Sequence, residues 1–132
     1  SKIRNRNFNY HRSFFKKLNK YFVIPRIDSK VRTNFLAYPV ILKNNNKFTR
    51  KKFQIFLEKN NIQTRPIFSG NILRHPAFQK LISSKNKLNY FKSSDYIMKN
   101  GLLIGCHQGL SNKDISYIHS IILKFLNEHI TK

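Results

Sequence analysis

Several residue types are scarce in this chain of 132 residues. It has no tryptophan, one cysteine, four glycines and only five acidic residues. The single cysteine, Cys106, excludes an internal disulfide or an all-thiolate metal site, and it is typical of a reducing compartment. No apolar run exceeds about eight residues, whereas a membrane-spanning helix needs roughly 18. We therefore expect a soluble, cytoplasmic chain, long enough to bury a core without disulfides or metal ions.

The shortage of acids leaves 26 lysines and arginines largely unbalanced, and the formal net charge is +21. Such a surplus attracts polyanions whatever the fold, so a basic nucleic-acid-binding module is one candidate function. Compositional drift is the other explanation, because Lys, Asn, Ile, Phe and Tyr, whose codons are rich in A and T, make up about half of the chain. Basic residues occur in every segment and form no confined stripe, so charge alone does not name the function.

The first 22 residues predict an amphipathic helix. One stripe of this helix carries large apolar or aromatic residues, at the spacing of a helix that packs against a core: Tyr10, Phe14, Leu18 and Tyr21. Because the chain begins with Ser1 inside this pattern, we expect residues 1–22 to lead in from a preceding large domain. An arginine-rich, acid-free start also resembles a mitochondrial targeting segment, which is the alternative interpretation.

The rest of the sequence predicts strands alternating with helices. The expected strands are the apolar runs 35–42, 62–68 and 102–106. We expect a helix after Thr49, a short one from Pro76, one after Ser93 or Ser94, and a last one after Ser111. The predicted fold class is therefore α/β (α+β), a single small domain over residues 1–132 with a three-stranded sheet and flanking helices.

Three residues carry more specific structural expectations. Pro39 cannot donate to a strand ladder, so it indicates a sheet edge or a bulge. Gly101 follows a predicted helix and is placed to adopt a left-handed cap. Ser111 and Asp114 have the spacing of a capping box.

The familiar sequence motifs of catalysis are missing. The chain contains no GxGxxG, GxxxxGK[ST], HExxH or CxxC, and its five acids form no evident pair. Cys106 and His107 are neighbours in sequence, but adjacent strand residues point to opposite faces, so they are a poor nucleophile and base. We interpret Cys106 as a small buried strand residue and assign no catalytic residue and no metal site.

The densest cluster of polar residues lies in residues 64–76. A predicted strand delivers Arg65, a turn follows at Gly70 and Asn71, and Arg74 and His75 precede a proline-started helix. Two forked guanidinium groups beside a helix start suit an anionic ligand. A surface loop with ordinary solvated arginines is the alternative.

These residues also carry a family resemblance. Residues 61–78, NIQTRPIFSGNILRHPAF, resemble the GI-x-TR-x-x-F-x-GN-x-x-RQPAY signature of the DegT/DnrJ/EryC1/StrS family of PLP-dependent sugar aminotransferases and dehydratases. Residues 94–111, SDYIMKNGLLIGCHQGLS, are similar to its AD-x-I-M-x-NG-x-x-x-x-CHHGLS segment. Tyr38 and Pro39 match the family's W-x-x-F-P-I strand. The chain departs from these patterns at His75, Phe78 and Gln108, where Gln, Tyr and His are usual.

The resemblance implies the small C-terminal domain of a fold-type I PLP enzyme. The GN and CHQG forms are most similar to nucleotide-sugar 3-dehydratases, which act on 4-keto-6-deoxy sugars, rather than to the aminotransferases. The implied parent is a homodimeric, cytoplasmic enzyme of surface polysaccharide (lipopolysaccharide) biosynthesis that uses pyridoxal or pyridoxamine 5'-phosphate. A noncatalytic remnant that pairs with a separately encoded large domain is an alternative.

The cofactor site is expected in the missing large domain. In the family that domain carries the phosphate site, the aspartate for the pyridinium nitrogen, and the Schiff-base lysine or the histidine that replaces it. In this chain the resemblance implies substrate-binding residues only. We expect Arg65 and Asn71 to face the nucleotide-sugar, and Arg74, with His75 beside it, to lie near a phosphate or in a structural ion pair.

Overall fold

The computed structural model describes residues 2–45, 47–81 and 89–130. Their α-helices are α1 (Lys2–Lys16), α2 (Arg50–Lys59), α3 (Lys92–Asn100) and α4 (Asn112–Ile130). Their strands are β1 (Phe22–Val23), β2 (Ala37–Leu42), β3 (Thr64–Arg65) and β4 (Gly101–Gly105). Short 3-10 helices cover Ile72–Arg74, Pro76–Leu81 and Asn89–Phe91. The predicted α/β class is confirmed, with one more strand than expected.

The four strands form one antiparallel sheet in the order β1-β2-β4-β3. Side chains alternate between its two faces, as the pleat requires. The inner face is buried against α1, α2 and α4, and its central residues are Tyr38, Val40, Leu42, Leu102 and Ile104. The outer face is half-buried at Ala37, Pro39 and Leu103. Ile67 and α3 cover its Gly101 end.

Phenylalanine and tyrosine rings fill the core in the absence of tryptophan. Phe8 stacks on Phe35 with 3.6 Å between ring centroids, and Phe15 stacks on Tyr38 at 5.1 Å. Ring pairs of this kind add about 0.5–1.5 kcal/mol beyond the apolar area that they bury. The core-packing face of α1 is therefore carried by Phe8 and Phe15, and the predicted stripe is shifted from it: Tyr10 is exposed and Phe14 is only partly buried.

The N-terminal helix is shorter than predicted. It ends at Lys16, and the backbone then turns through hydrogen bonds from Leu18 N to Phe15 O and from Tyr21 N to Leu18 O, both 2.9 Å. Phe22 next pairs with Leu42 as β1. The apolar stripe continues past the helix because these turn residues still pack against the core.

Two other expectations are corrected by backbone geometry. The predicted strand 62–68 is reduced to β3, since Pro66 has no N–H and Phe68 has a φ of 46°. Gly101 is not a left-handed cap, because its φ of −103° and ψ of 147° are extended and it begins β4. Glycine is needed there for packing, since a Cβ would lie 2.6 Å from Ile67 Cδ1.

Two capping predictions are confirmed, at Thr49 and Ser111, whereas the expected helix start at Ser93 or Ser94 is wrong because α3 begins at Lys92 after Phe91, without a side-chain cap. Thr49 Oγ1 accepts from Lys52 N at 3.3 Å at the start of α2. At the start of α4, Ser111 N donates to Asp114 Oδ2 at 2.7 Å, and Asp114 N donates to Ser111 Oγ at 3.3 Å. In the part of the chain that the structure describes, β1 reaches only Ile41 and Leu42, so Pro39 lies beyond its end at an open edge.

Two buried histidines join α1, α4 and the end of β4. His11 Nε2 lies 2.9 Å from Gly105 O and must donate to it, so His11 Nδ1 accepts from His119 Nε2, 3.0 Å away. His119 also stacks on Phe14 with 3.9 Å between ring centroids. Burial lowers the pKa of both imidazoles to about 4, so the pair is neutral near pH 7.

This pair should make the fold acid-sensitive. The folded pKa of His11 lies below its usual 6.5, so the unfolded chain binds more protons as the pH falls from 6.5 to 4. We expect His11 alone to remove about 3 kcal/mol of unfolding free energy by pH 4, relative to pH 7.5. Urea unfolding at a series of pH values measures this loss. If a His11→Phe variant lost as much unfolding free energy between pH 7.5 and pH 4, His11 would not be the source of the acid sensitivity. His107→Gln, at an exposed histidine, is the control.

Candidate functional site

A compact loop of residues 66–75, here named the site loop, connects β3 to the 3-10 helices. Its turn is closed by a hydrogen bond from Gly70 N to Ile67 O at 3.1 Å. Gly70 has a φ of 61°, and a Cβ there would lie 2.5 Å from Met98 Cγ on α3. The turn therefore requires glycine both for its backbone conformation and for its contact with α3.

Asp95 in the first turn of α3 ties the site loop to that helix. Its carboxylate makes a bidentate ion pair with Arg74, with both N–O distances 2.5 Å, and accepts from Asn71 Nδ2 at 2.8 Å. Asn71 is buried, and its Oδ1 accepts from Leu73 N at 3.1 Å. The bond from Arg74, followed by that from Asn71, lowers the pKa of Asp95 to about 2. The carboxylate is thus ionised throughout the neutral range.

His75 closes the other side of the site loop. Its Nε2 donates to the backbone carbonyl of Ser69 at 2.7 Å. A glutamine amide, the side chain of the family signature at this position, is chemically able to donate in the same way. Asn71, Arg74 and His75 are therefore all bonded to other atoms of the loop or of α3.

Arg65 lies outside this network. It is exposed, and its guanidinium makes no hydrogen bond or ion pair with any residue in 2–45, 47–81 or 89–130. Arg65 pairs with Leu103 across β3 and β4 and borders a cleft of about 440 Å³, here named the β4 cleft. The other polar residues that line this cleft are Asn61, Gln63, His107, Asp114 and Tyr117.

Asp114 and Tyr117, two polar residues of the β4 cleft, already have partners. Asp114 Oδ2 accepts from both the backbone N and the hydroxyl of Ser111, and these bonds lower the pKa of Asp114. Tyr117 donates to the carbonyl of Asn60 at 3.0 Å. Arg65 is the cation in the cleft that keeps all of its donors available, which suits it to an anionic ligand.

The structure thus groups three of the four predicted site residues and separates the fourth. Asn71, Arg74 and His75 belong to the site loop network, whereas Arg65 faces the β4 cleft. Their contacts with substrate remain predictions. Sequence analysis missed Asp95 as the centre of the network. The one feature that could have indicated it is that Asp95 is a rare acidic residue within the second family-like segment.

Cys106 has the buried structural position that its sequence predicts. Its thiol lies 3.6 Å from the carbonyl of Phe35, and burial raises the thiol pKa to about 11. His107 is exposed on the other side of the strand end. The two side chains therefore form no nucleophile and base pair.

A model of the DegT/DnrJ/EryC1/StrS aminotransferase family matches residues 1–123, nearly the whole chain. The chain belongs to this family. The family segments identified above coincide with the site loop, α3 and β4, so the resemblance covers the surfaces just described.

Named relatives include sugar-modifying enzymes. The chain is 25% identical to the lipopolysaccharide biosynthesis protein RfbH of Salmonella typhimurium over 92% of its length, and 29% identical to dTDP-4-dehydro-2,6-dideoxy-D-glucose 3-dehydratase of Saccharopolyspora spinosa over 70%. The chain spans only 28% and 20% of these proteins. The chain is also similar to the solved structure of E. coli GDP-4-keto-6-deoxy-D-mannose-3-dehydratase with bound hydrated PLP, with a TM-score of 0.68 and 25% identity. The match covers 92% of this chain and 30% of that protein.

The β4 cleft does not offer the groups of a complete PLP site. No lysine lines the β4 cleft, and the carboxylate there, Asp114, is bonded to Ser111. Asp95 is likewise bonded to Arg74 and Asn71. In the described parts of the chain, no group of acidic, histidine and cysteine residues could hold a metal ion, and no helix is long and apolar enough to cross a membrane.

Replacement of Asn71 should loosen the site loop. Asn71→Ala removes a buried amide bond to Asp95 and the cap on Leu73 N. We expect a loss of about 1–2 kcal/mol in the free energy of unfolding, and faster hydrogen exchange in residues 69–75. Urea denaturation and exchange mass spectrometry measure the two effects. Asn44→Ala, at an exposed turn residue, is the matched control, and equal losses in both variants would refute the role of Asn71.

Gly70 offers a second test of the same loop. Gly70→Ala should cost about 2–4 kcal/mol, because it adds a positive-φ penalty to an overlap with Met98. In a Met98→Ala background the overlap disappears, and the cost should fall to about 1 kcal/mol. Chemical denaturation of the four proteins gives the coupling. Additive losses would show that Met98 does not constrain Gly70.

Proposed function

We propose that this chain is the small C-terminal domain of a PLP- or PMP-dependent enzyme acting on nucleotide-linked 4-keto-6-deoxy sugars in surface polysaccharide biosynthesis. The observation that carries the proposal is the similarity over 92% of the chain to a GDP-4-keto-6-deoxy-D-mannose-3-dehydratase that binds hydrated PLP. The similarity to a lipopolysaccharide biosynthesis protein supports the polysaccharide context.

Within this proposal, 3-dehydration is favoured over transamination. Two of the named relatives are 3-dehydratases, one acting on a dTDP-linked and one on a GDP-linked sugar. The residue that decides between the reactions, a lysine or histidine at the Schiff-base position, belongs to the large domain. The large domain also holds the cofactor and forms the homodimer.

The chain's own contribution is to bind and orient the substrate. Arg65 is proposed to contact the nucleotide-sugar directly, because its guanidinium is exposed and unpaired beside a cleft. Asn71 and Arg74 are proposed to face the same ligand site while their bonds to Asp95 fix the shape of the site loop. His75 holds the turn by its bond to Ser69. PLP supplies the electron sink of the reaction when it is bound in the parent enzyme.

A chimera tests the proposal. This chain replaces the segment that it matches in the E. coli GDP-4-keto-6-deoxy-D-mannose-3-dehydratase, and PLP absorbance and dehydratase turnover are measured. We expect both to be retained. Arg65→Ala should lower kcat/KM by about one to two orders of magnitude, since a charge-assisted contact contributes roughly 1.5–3 kcal/mol. Arg26→Ala removes an exposed arginine from the connector before β2 and should leave kcat/KM within about twofold.

The outcomes separate the rival functions. A folded chimera that binds PLP without turnover would favour the noncatalytic remnant. A folded chimera that binds no PLP would overturn the proposal. If Arg65→Ala and Arg26→Ala behave alike, Arg65 does not contact the substrate.

A further inference from the structure

Besides Arg65, His107 at the β4 cleft has a ring donor without a partner among the described residues. We propose that Arg65 and His107 together bind a phosphoryl group in the β4 cleft, beside Gly105. The site rests on the geometry of this chain. It depends on the proposed function only for the source of the phosphoryl group, which would then be the diphosphate of the nucleotide-sugar. Sequence analysis assigned His107 no role.

Strand pairing and the chain that follows β4 bring the two residues to one cleft. Arg65 lies opposite Leu103, and Leu103 and Gly105 share a face because side chains alternate along the strand. β4 ends at Gly105, and His107 lies two residues beyond it. A Cβ added to Gly105 would be 3.3 Å from Leu110 Cδ1, 3.4 Å from His107 Cδ2 and 3.8 Å from His107 Nε2. The imidazole edge and the Leu110 side chain therefore both border Gly105.

The tautomer of His107 leaves one donor free. Its Nδ1 accepts from Gly109 N at 3.2 Å, so the proton of the neutral ring is on Nε2. Among the described residues that N–H has no acceptor. Arg65 is also without a partner there. Two exposed donors without a partner among the described residues thus border one cleft.

The surrounding charges permit an anion to bind. Asp114 is the acid among the residues that line the cleft, and its Oδ2 is occupied by two bonds from Ser111. The chain as a whole carries a net charge of +21, which raises the local concentration of any anion. Binding at a specific site differs from this general attraction because directed hydrogen-bond donors hold the anion in one place.

The donor arrangement favours a phosphoryl group over a carboxylate. A phosphoryl group presents its oxygens in tetrahedral directions, so it can accept from donors on different sides, and a guanidinium matches its geometry well. Leu36, Leu110 and Ile118 supply an apolar wall, and Tyr117 is 45% exposed. The cleft of about 440 Å³ therefore has room for an organic group attached to the phosphate.

NMR titration of the 132-residue chain tests the site. Inorganic pyrophosphate, GDP and glutamate are added separately at constant ionic strength, and the side-chain signals of Arg65 and His107 are followed. We expect pyrophosphate and GDP to shift both signals and glutamate to shift neither. Arg65→Gln and His107→Phe should each weaken pyrophosphate binding about fivefold or more, as expected for loss of a charge-assisted or directed hydrogen bond.

Three variants separate directed binding from charge attraction. Arg26→Gln has the same charge change as Arg65→Gln and should alter pyrophosphate affinity less than about twofold. His107→Gln retains an amide donor and should bind better than His107→Phe. Gly105→Ala leaves the net charge unchanged but adds a methyl group 3.3 Å from Leu110 Cδ1 and 3.4 Å from His107 Cδ2, so it should displace the imidazole and weaken binding about fivefold or more. Dispersed amide spectra verify that each variant is folded.

Any of three results would overturn the site. The first is an equal loss of pyrophosphate affinity in Arg26→Gln and Arg65→Gln. The others are unchanged affinity in Gly105→Ala and preferred binding of glutamate. Tighter binding of GDP than of pyrophosphate would support it with a nucleotide as the source, and equal affinities would support it with free phosphate compounds as the source. Because the titration needs no PLP, its failure is distinct from failure of the chimera. An active chimera with no pyrophosphate site in the chain would remove this inference alone.

Discussion

β4 is the element on which the other features depend, because it pairs with β2 on one side and β3 on the other. The pleat commits its side chains alternately to two faces. Leu102, Ile104 and Cys106 fill the core, whereas Leu103 and Gly105 face outward at the β4 cleft. A slip of one residue in its pairing would expose the apolar residues and bury the outer face, so the core fixes the position of the cleft.

The scarcity of acids shapes both the site and the charge of the chain. The chain has only five acidic residues, and two of them organise local structure. Asp95 holds the site loop against α3 through Arg74 and Asn71, and Asp114 caps α4 through Ser111. Most basic residues then have no acidic partner available. This imbalance explains how Arg65 can keep its donors free, and it also means that general attraction of anions must be controlled for in every binding experiment.

The sequence predicted the features that short-range chemistry decides. The caps at Thr49 and Ser111 and the position of Pro39 follow from hydrogen bonds or a missing donor within a few residues. It did not predict β1, because two residues become a strand only through pairing with residues 41 and 42. The contact between His11 and His119 joins positions 108 residues apart. The role of Gly101 could not be predicted either, because it depends on packing against Ile67, which is distant in sequence.

The same distinction applies to the candidate site. Asn71, Arg74 and His75 are part of a recognisable signature, yet each is bonded within the site loop or to α3. Such a signature can therefore identify the shape of a loop as readily as its contacts with a ligand. Arg65 and His107 lack partners for their donors among the described residues. The register of β3 and β4 places Arg65 beside the cleft, and the chain that leaves β4 after Gly105 places His107 there. Unused donors at a common cleft are thus the stronger structural argument for a ligand, because an oxyanion can bind them while leaving the bonds of the site loop intact.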